Sequence, residues 1–176
     1  MIQLHDLQFE PFISEAEIEN AITKVADQLN EEYHGKNPVF LGVLNGAFMF
    51  ASEVIKRFKG DCEVSFVKLG SYEGTSTTGV VKTLVGLNQQ LKGRNVVILE
   101  DIVDTGNTLE EINRILELEG VEEYQVATLF FKPEAYKKAF EIKFKGLEIP
   151  NKFIVGYGLD YDGLGRNLTQ VYKRKE

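Results

Sequence analysis

The sequence predicts an α/β fold: a mainly parallel, twisted sheet flanked by helices. Two observations predict it. Short apolar runs of buried-strand type, such as 39–44 and 95–99, alternate with segments of helical periodicity. Strands that are apolar along their whole length are covered on both faces, as the strands of parallel sheets are.

The elements follow in order. Ser14-Glu15-Ala16-Glu17 reads as a capping box, with Ser14 at the cap and Glu17 three residues later. Ile18, Ile22, Val25, Ala26 and Leu29 then recur at helical spacing, and the helix is expected to end near Gly35. Val39 to Leu44 reads as a buried strand, Phe48 to Phe58 as a helix and Glu63 to Lys68 as a strand. Gly70 to Gly79 is rich in Gly, Ser and Thr and reads as a mobile loop, after which Val80 to Val85 resumes a strand pattern. Asn95 to Leu99 is the clearest buried strand. Thr108 to Glu119 reads as a helix with Leu109, Ile112, Ile115 and Leu116 on one face. Val126 to Phe131 and Phe153 to Gly156 are further strands, and Lys173-Arg174-Lys175 reads as a solvated tail.

The bulk numbers narrow the function classes. A chain of 176 residues, 43% hydrophobic and 27% charged, suits a single domain over 1–176 with a full core. A net charge of -7 argues against nucleic acid as a partner, because phosphate backbones attract basic surfaces. The single cysteine, Cys62, allows no internal disulfide framework and fits a reducing, cytoplasmic setting. The first residues have neither a basic start nor an apolar run, and no stretch is apolar enough to span a bilayer, so neither a signal peptide nor a membrane partner is expected. His5 and His34 have no ligand cluster beside them in sequence, which argues against zinc.

One segment carries chemistry. In Val97-Ile98-Leu99-Glu100-Asp101-Ile102-Val103-Asp104-Thr105-Gly106-Asn107-Thr108-Leu109, an apolar strand is expected to end at Leu99 with two carboxylates at its tip. Asp104 opens a turn of small hydroxyl and glycine residues, and a helix follows. Ligands of open α/β sheets bind beyond the carboxyl ends of strands, and backbone N–H groups at a helix start attract anions. Thr105 and Thr108 add hydroxyl donors, and Gly106 lets backbone approach a ligand closely. Carboxylates repel phosphate but suit sugar hydroxyls or a cation. A ligand with a phosphate at one end and vicinal hydroxyls beside it fits both halves, which describes a ribose 5-phosphate. No Gly-Lys-Ser/Thr follows, so this is not a Walker loop, and the glycine spacing is not that of a dinucleotide fingerprint. An acidic loop with an Asp or Thr cap is the commoner fate of any one of these residues; the whole combination is much harder to reach by chance.

This segment resembles the phosphoribosyl pyrophosphate signature of type I phosphoribosyltransferases, and the rest of the chain is similar to the hypoxanthine-guanine phosphoribosyltransferase family from about Val39 to Val171. The resemblance implies a hood formed by the N- and C-terminal segments over the main sheet. It makes Leu44-Asn45-Gly46 the pyrophosphate-binding loop, with a cis peptide at Leu44-Asn45 where the family has one. Ser71 and Tyr72 would begin a lid that closes over the site. Lys132 would donate to the 6-oxo group of a purine, since a lysine has donors and no acceptor. In Asn151 to Tyr161, Phe153 would stack on the base, the backbone of Lys152 and Ile154 would meet its edge, and Asp160 would hold magnesium. Arg166 would reach the pyrophosphate.

By the same resemblance, Glu100 and Asp101 would bind ribose hydroxyls or magnesium. Asp104 would be the general base at the purine N7 proton, and Thr105, Gly106, Asn107 and Thr108 would hold the 5-phosphate. The expected partners are phosphoribosyl pyrophosphate and a 6-oxopurine, hypoxanthine first. Relatives are dimers or tetramers, so a homodimer or homotetramer is expected. Two departures stand out. Asp162-Gly163-Leu164-Gly165 replaces a bulkier stretch before the arginine, and Asn45 stands where some relatives carry lysine. The alternatives are a transferase for another base and a nucleotide-sensing regulator on the same fold; the latter needs a basic face, and this chain is acidic.

Overall fold

A computed structural model of the chain describes residues 1–69, 83–85 and 90–175. The expected loop at Gly70 to Gly79, with Ser71 and Tyr72, lies outside the described residues.

The main sheet contains β3 (Val39–Leu44), β4 (Glu63–Leu69), β5 (Thr83–Val85), β6 (Val96–Val103), β7 (Tyr124–Phe131) and β8 (Phe144–Glu148), in the order β5-β4-β3-β6-β7-β8. All neighbours are parallel except β4 and β5. Three helices accompany it: α1 (Glu15–Tyr33), α2 (Phe48–Arg57) and α3 (Asn107–Leu118). A second, antiparallel sheet is made from both ends of the chain. It joins β1 (Ile2–Leu4), β2 (Leu7–Ile13), β10 (Val171–Arg174) and β9 (Ile154–Val155), in that order. This is the expected hood.

Strand alternation explains the layering. Phe40, Val97 and Leu99 face one core with Ile18, Ile22, Val25, Phe50 and Val54 of α1 and α2. Their neighbours Val39, Leu41, Val96 and Ile98 face another core with Leu109, Ile112 and Leu116 of α3. Because successive strand residues point to opposite faces, only uninterrupted apolar runs satisfy both layers. A smaller cluster of Phe9, Val155 and Tyr172 holds the hood, with Leu4, Leu7, Tyr161 and Leu168 packed against it.

The capping box is formed. The Ser14 hydroxyl accepts from the Glu17 N–H, and the Glu17 carboxylate accepts from the Ser14 N–H at 2.9 Å. Two differences from expectation bear on the site and the hood. β6 does not stop at Leu99 but continues through both acids to Val103, because Glu100 and Ile102 still pair with Thr128 and Phe130 of β7. The basic end is not a solvated tail: Val171–Arg174 is β10, sandwiched between β2 and β9. Its buried pair Val171-Tyr172 is followed directly by Lys173-Arg174, so the four residues show no alternation that would mark a strand.

The order of the main sheet places the site. From β3 the chain moves outward to β4, then returns to the other side of β3 to lay down β6, β7 and β8. The connections after β3 and β6 therefore leave in opposite directions. Such a switch point opens a crevice at the carboxyl ends of the two strands.

Candidate active site

At the end of β3 the Leu44-Asn45 peptide bond is cis, as the resemblance implied. Gly46 follows and lies directly under the Asp101 carboxylate of β6: a Cβ built on Gly46 would sit 1.7 Å from Asp101 Oδ2. The two strand ends are interlocked at a point where only a hydrogen fits. The crevice above them has a volume of about 530 Å³ and is lined by Val43, Leu44, Gly46, Glu100, Asp101, Asn107 and Thr108, among others. A recess of about 230 Å³ adjoins it, lined by the unbroken run from Glu100 to Leu109.

The recess is the expected phosphate loop. Gly106 caps α3 in a left-handed conformation, φ 86°. Thr105, Asn107 and Thr108 are exposed around it. The first N–H groups of a helix have no partner within it, so α3 begins as an anion-binding terminus. The helix starts at Asn107, one residue earlier than its pattern suggested.

The acids lie in very different surroundings. Glu100 is buried, and among the described residues its Oε2 has no hydrogen-bond partner. Burial holds its carboxyl well above the usual carboxylate range, and the charge of Asp101 adds to this. Burial also pushes Asp101 up, to about 6, against the Ile102 N–H that its Oδ1 accepts at 2.9 Å and the nearby Arg166 guanidinium. Asp160 raises it further. Glu100, buried without a partner at Oε2, and Asp101, partly offset by Arg166, together leave the crevice short of positive charge.

Asp104 differs from both. Its Oδ2 accepts from Lys132 Nζ at 2.7 Å. Lys132 is 7% exposed at its side chain and Asp104 43%, so the lysine is walled in while the aspartate still reaches solvent. Lys132 follows β7, and its N–H donates to the Val103 carbonyl at 3.0 Å, which ties the ends of β6 and β7 together. A charge-assisted bond of this length compensates a lysine that would otherwise be buried alone.

The hood supplies the rest. Phe153 is 46% exposed, so it is not core, although its position beside a strand made core packing the ordinary expectation. Its ring meets those of Phe9 and Tyr161 at centroid distances of 6.1 and 5.8 Å. The Ile154 side chain is buried, and the Lys152 N–H donates to the Pro150 carbonyl at 2.7 Å. Arg166 and Asp160 are brought together: Arg166 Nη2 lies 2.7 Å from Asp160 Oδ1, and Nη1 donates to the Gly158 carbonyl at 2.7 Å. Gly158 in turn abuts Gly46, whose carbonyl would lie 2.0 Å from a Cβ at 158. The hood thus touches the crevice floor at the expected pyrophosphate loop. Asp160 Oδ2 also accepts from the Gly163 N–H at 2.7 Å, within the stretch that departs from the family pattern. Sequence reasoning considered His5 only as a metal ligand and passed over Asp6; His5 contacts Asp162 in this stretch and Asp6 contacts Tyr161 just before it.

Fold and site together define a phosphoribosyltransferase, and the phosphoribosyl transferase domain family matches residues 14–162. The chain is 37% identical over 169 residues to the hypoxanthine-guanine phosphoribosyltransferase of Staphylococcus aureus, covering 96% of this chain and 94% of that one. It is 38% identical over 165 residues to that of Streptococcus pneumoniae, covering 93% and 92%. A crystal structure of a Staphylococcus aureus hypoxanthine phosphoribosyltransferase aligns with a TM-score of 0.86 at 38% identity, over 97% of this chain and 92% of that one. The chain belongs to the hypoxanthine-guanine phosphoribosyltransferase family.

Proposed function

We propose that the chain transfers a phosphoribosyl group from phosphoribosyl pyrophosphate to hypoxanthine, and to guanine, in purine salvage. The products are the nucleoside monophosphate and pyrophosphate. The observation that carries the reading is the Lys132–Asp104 pair at 2.7 Å. A donor and an acceptor lie side by side, and a 6-oxopurine protonated at N7 presents the complementary acceptor and donor next to each other on one edge. An adenine would set its 6-amino donors against a lysine that has only donors.

The residues then divide the work. Phe153 stacks on the base, with the backbone of Lys152 and Ile154 at its edge. Thr105, Gly106, Asn107 and Thr108 hold the 5-phosphate at the start of α3. Leu44, Asn45, Gly46 and Arg166 hold the diphosphate. The purine nitrogen attacks the anomeric carbon as the diphosphate leaves, and Asp104 takes the N7 proton. Glu100 and Asp101 face the ribose and tolerate positive charge on it.

Glu100, Asp101 and Asp160 are the hard oxygen donors suited to magnesium. The unpartnered Glu100 Oε2 fits a role of this kind. When bound, magnesium neutralises charge on the diphosphate. Ser71 and Tyr72 begin the lid that excludes water. The chain works as one domain over 1–176, in the cytoplasm, as a homodimer or homotetramer, without nucleic acid. Among the described residues no helix is long and apolar enough to cross a membrane.

A spectrophotometric assay with phosphoribosyl pyrophosphate and magnesium tests the reading with hypoxanthine, guanine, xanthine and adenine in parallel. Turnover of hypoxanthine or guanine, none with adenine, and loss of activity with chelator are expected. Turnover of adenine alone, or of no base, overturns it.

A further inference from the structure

We propose that the turn between β1 and β2 clasps the loop from Asp160 to Arg166, and that Asp6, acting through Tyr161, is a positioning residue for the purine and diphosphate sites. The positioning half rests on the function proposed above; the clasp itself does not.

The loop needs an outside restraint. Asp162, Gly163 and Gly165 all have positive φ, at 47°, 85° and 102°. Across the turn, Tyr161 and Leu164 exchange two N–H to carbonyl bonds, at 2.9 and 3.1 Å. Glycines widen the conformations open to a loop, and ordering it costs correspondingly more. Yet this loop carries both Asp160 and Arg166.

Three consecutive residues, Leu4 at the end of β1 and His5 and Asp6 of the turn, supply the restraint. The Leu4 side chain fills the space beside Gly165, 3.0 Å from where a Cβ would be. His5 Nε2 lies 3.1 Å from the Asp162 carbonyl oxygen, which can only accept, so the ring donates. The Asp6 carboxylate accepts from the Tyr161 hydroxyl at 2.7 Å. This bond holds the Asp6 carboxyl below its usual range and the Tyr161 hydroxyl above its own. His5 also meets the Tyr161 ring edge-on at 5.6 Å.

Tyr161 transmits the restraint. Its ring lies edge-on to Phe153, with centroids 5.8 Å apart and planes at 86°. Phe153 is 46% exposed and is held on one side by Phe9, at 6.1 Å between centroids, and on another by Tyr161. A tyrosine held at its hydroxyl by Asp6 is a fixed wall for a ring meant to stack on a base. The glycine-bearing departure from the family pattern is thereby held in place by the N-terminal turn.

Hydrogen exchange of the ligand-free protein reads the clasp directly. Asp6→Ala should speed exchange across 156–168 and leave α1 and β6 unchanged; unaltered rates at 156–168 overturn the clasp. In steady-state assays, Asp6→Ala and Tyr161→Phe should each raise KM for the purine roughly three- to tenfold, with kcat within about twofold. Asp6→Asn keeps an acceptor and should restore most of the loss. The double variant should be no worse than either single one, since both remove the same bond. Faster exchange with an unchanged purine KM overturns the positioning role. Faster exchange in a protein whose wild type turns over no purine supports the clasp and sinks the functional reading instead.

Discussion

Asp104 and Lys132 satisfy each other in the free protein, so on the proposed reading a purine would compete with an ion pair for both groups. Asp104→Asn keeps an acceptor for Lys132 but cannot take a proton. It should lower kcat by about 10²–10⁴ with little change in melting temperature. A near-normal kcat would show that Asp104 only caps or pairs. Asp101 makes the opposite kind of prediction. Its folded pKa, about 6, lies above the unfolded value of 3.8, so between those values the folded state binds more protons. The favourable contribution is present below about pH 4 and is lost as pH rises through about 6. Asp101→Asn removes a charge that is costly at neutral pH. In chelator, the variant should be about 1–3 kcal/mol more stable than wild type at pH 7.5 and lose that advantage at pH 4. Urea unfolding at the two pH values measures this, and a destabilised variant at pH 7.5 contradicts it. The two acids were legible in the sequence as carboxylates at a strand end, and Lys132 was singled out only by the family resemblance. The pairing of Asp104 with Lys132 was not legible, because residues 104 and 132 meet only once β6 and β7 align in register.

At the scale of elements, close approach between strand and loop ends shapes the site. Gly46→Ala places a methyl group 1.7 Å from Asp101 Oδ2, so the Asp101 carboxylate must swing aside or the Gly46 turn must shift by more than 1 Å to reach ordinary contact. Misplacement of that size near reacting groups costs on the order of 10²-fold, so kcat/KM for phosphoribosyl pyrophosphate should fall by about that much while circular dichroism stays native. The cap of α1 serves stability alone. Ser14→Ala should cost about 1 kcal/mol, seen as roughly 2–4 °C in melting temperature, with unchanged kinetics. The two cases differ in legibility for a physical reason. The capping box is local, three residues apart, and the sequence displays it whole. Gly46 under Asp101 is a contact across 55 positions that no periodicity encodes, although the resemblance singled out both residues. β1 and β10, of three and four residues, are too short to show alternation, and in the seven-residue β2 the alternation that begins with Leu7 and Phe9 breaks at Pro11-Phe12-Ile13.

For the whole molecule, the site is an assembly of parts that lie far apart in sequence. The switch point between β3 and β6 supplies the floor, the start of α3 the proposed phosphate terminus, and the hood Phe153, Asp160 and Arg166. In the free protein these parts contain uncompensated acids: Glu100 and Asp101 are held above their usual range by burial, and Asp160 depends on Arg166 for its counter-charge. A ligand that brings a cation to the acids and a diphosphate to the arginine relieves all of these at once, so it should bind the folded state strongly and the unfolded chain not at all. Stabilisation then follows mass action. With phosphoribosyl pyrophosphate and magnesium together at about a hundred times the dissociation constant, the gain is about 2.7 kcal/mol. For a chain of this length that corresponds to roughly 5–10 °C in melting temperature. Neither component alone should give more than a small part of the shift, because the diphosphate without a cation faces buried carboxylates. Chelator should return the curve to that of the free protein. Differential scanning fluorimetry with each component, both, and both plus chelator makes the comparison. A full shift with phosphoribosyl pyrophosphate in chelator would mean that Arg166 and the helix start bind the ligand without help, and that Glu100 and Asp101 serve the ribose rather than the metal.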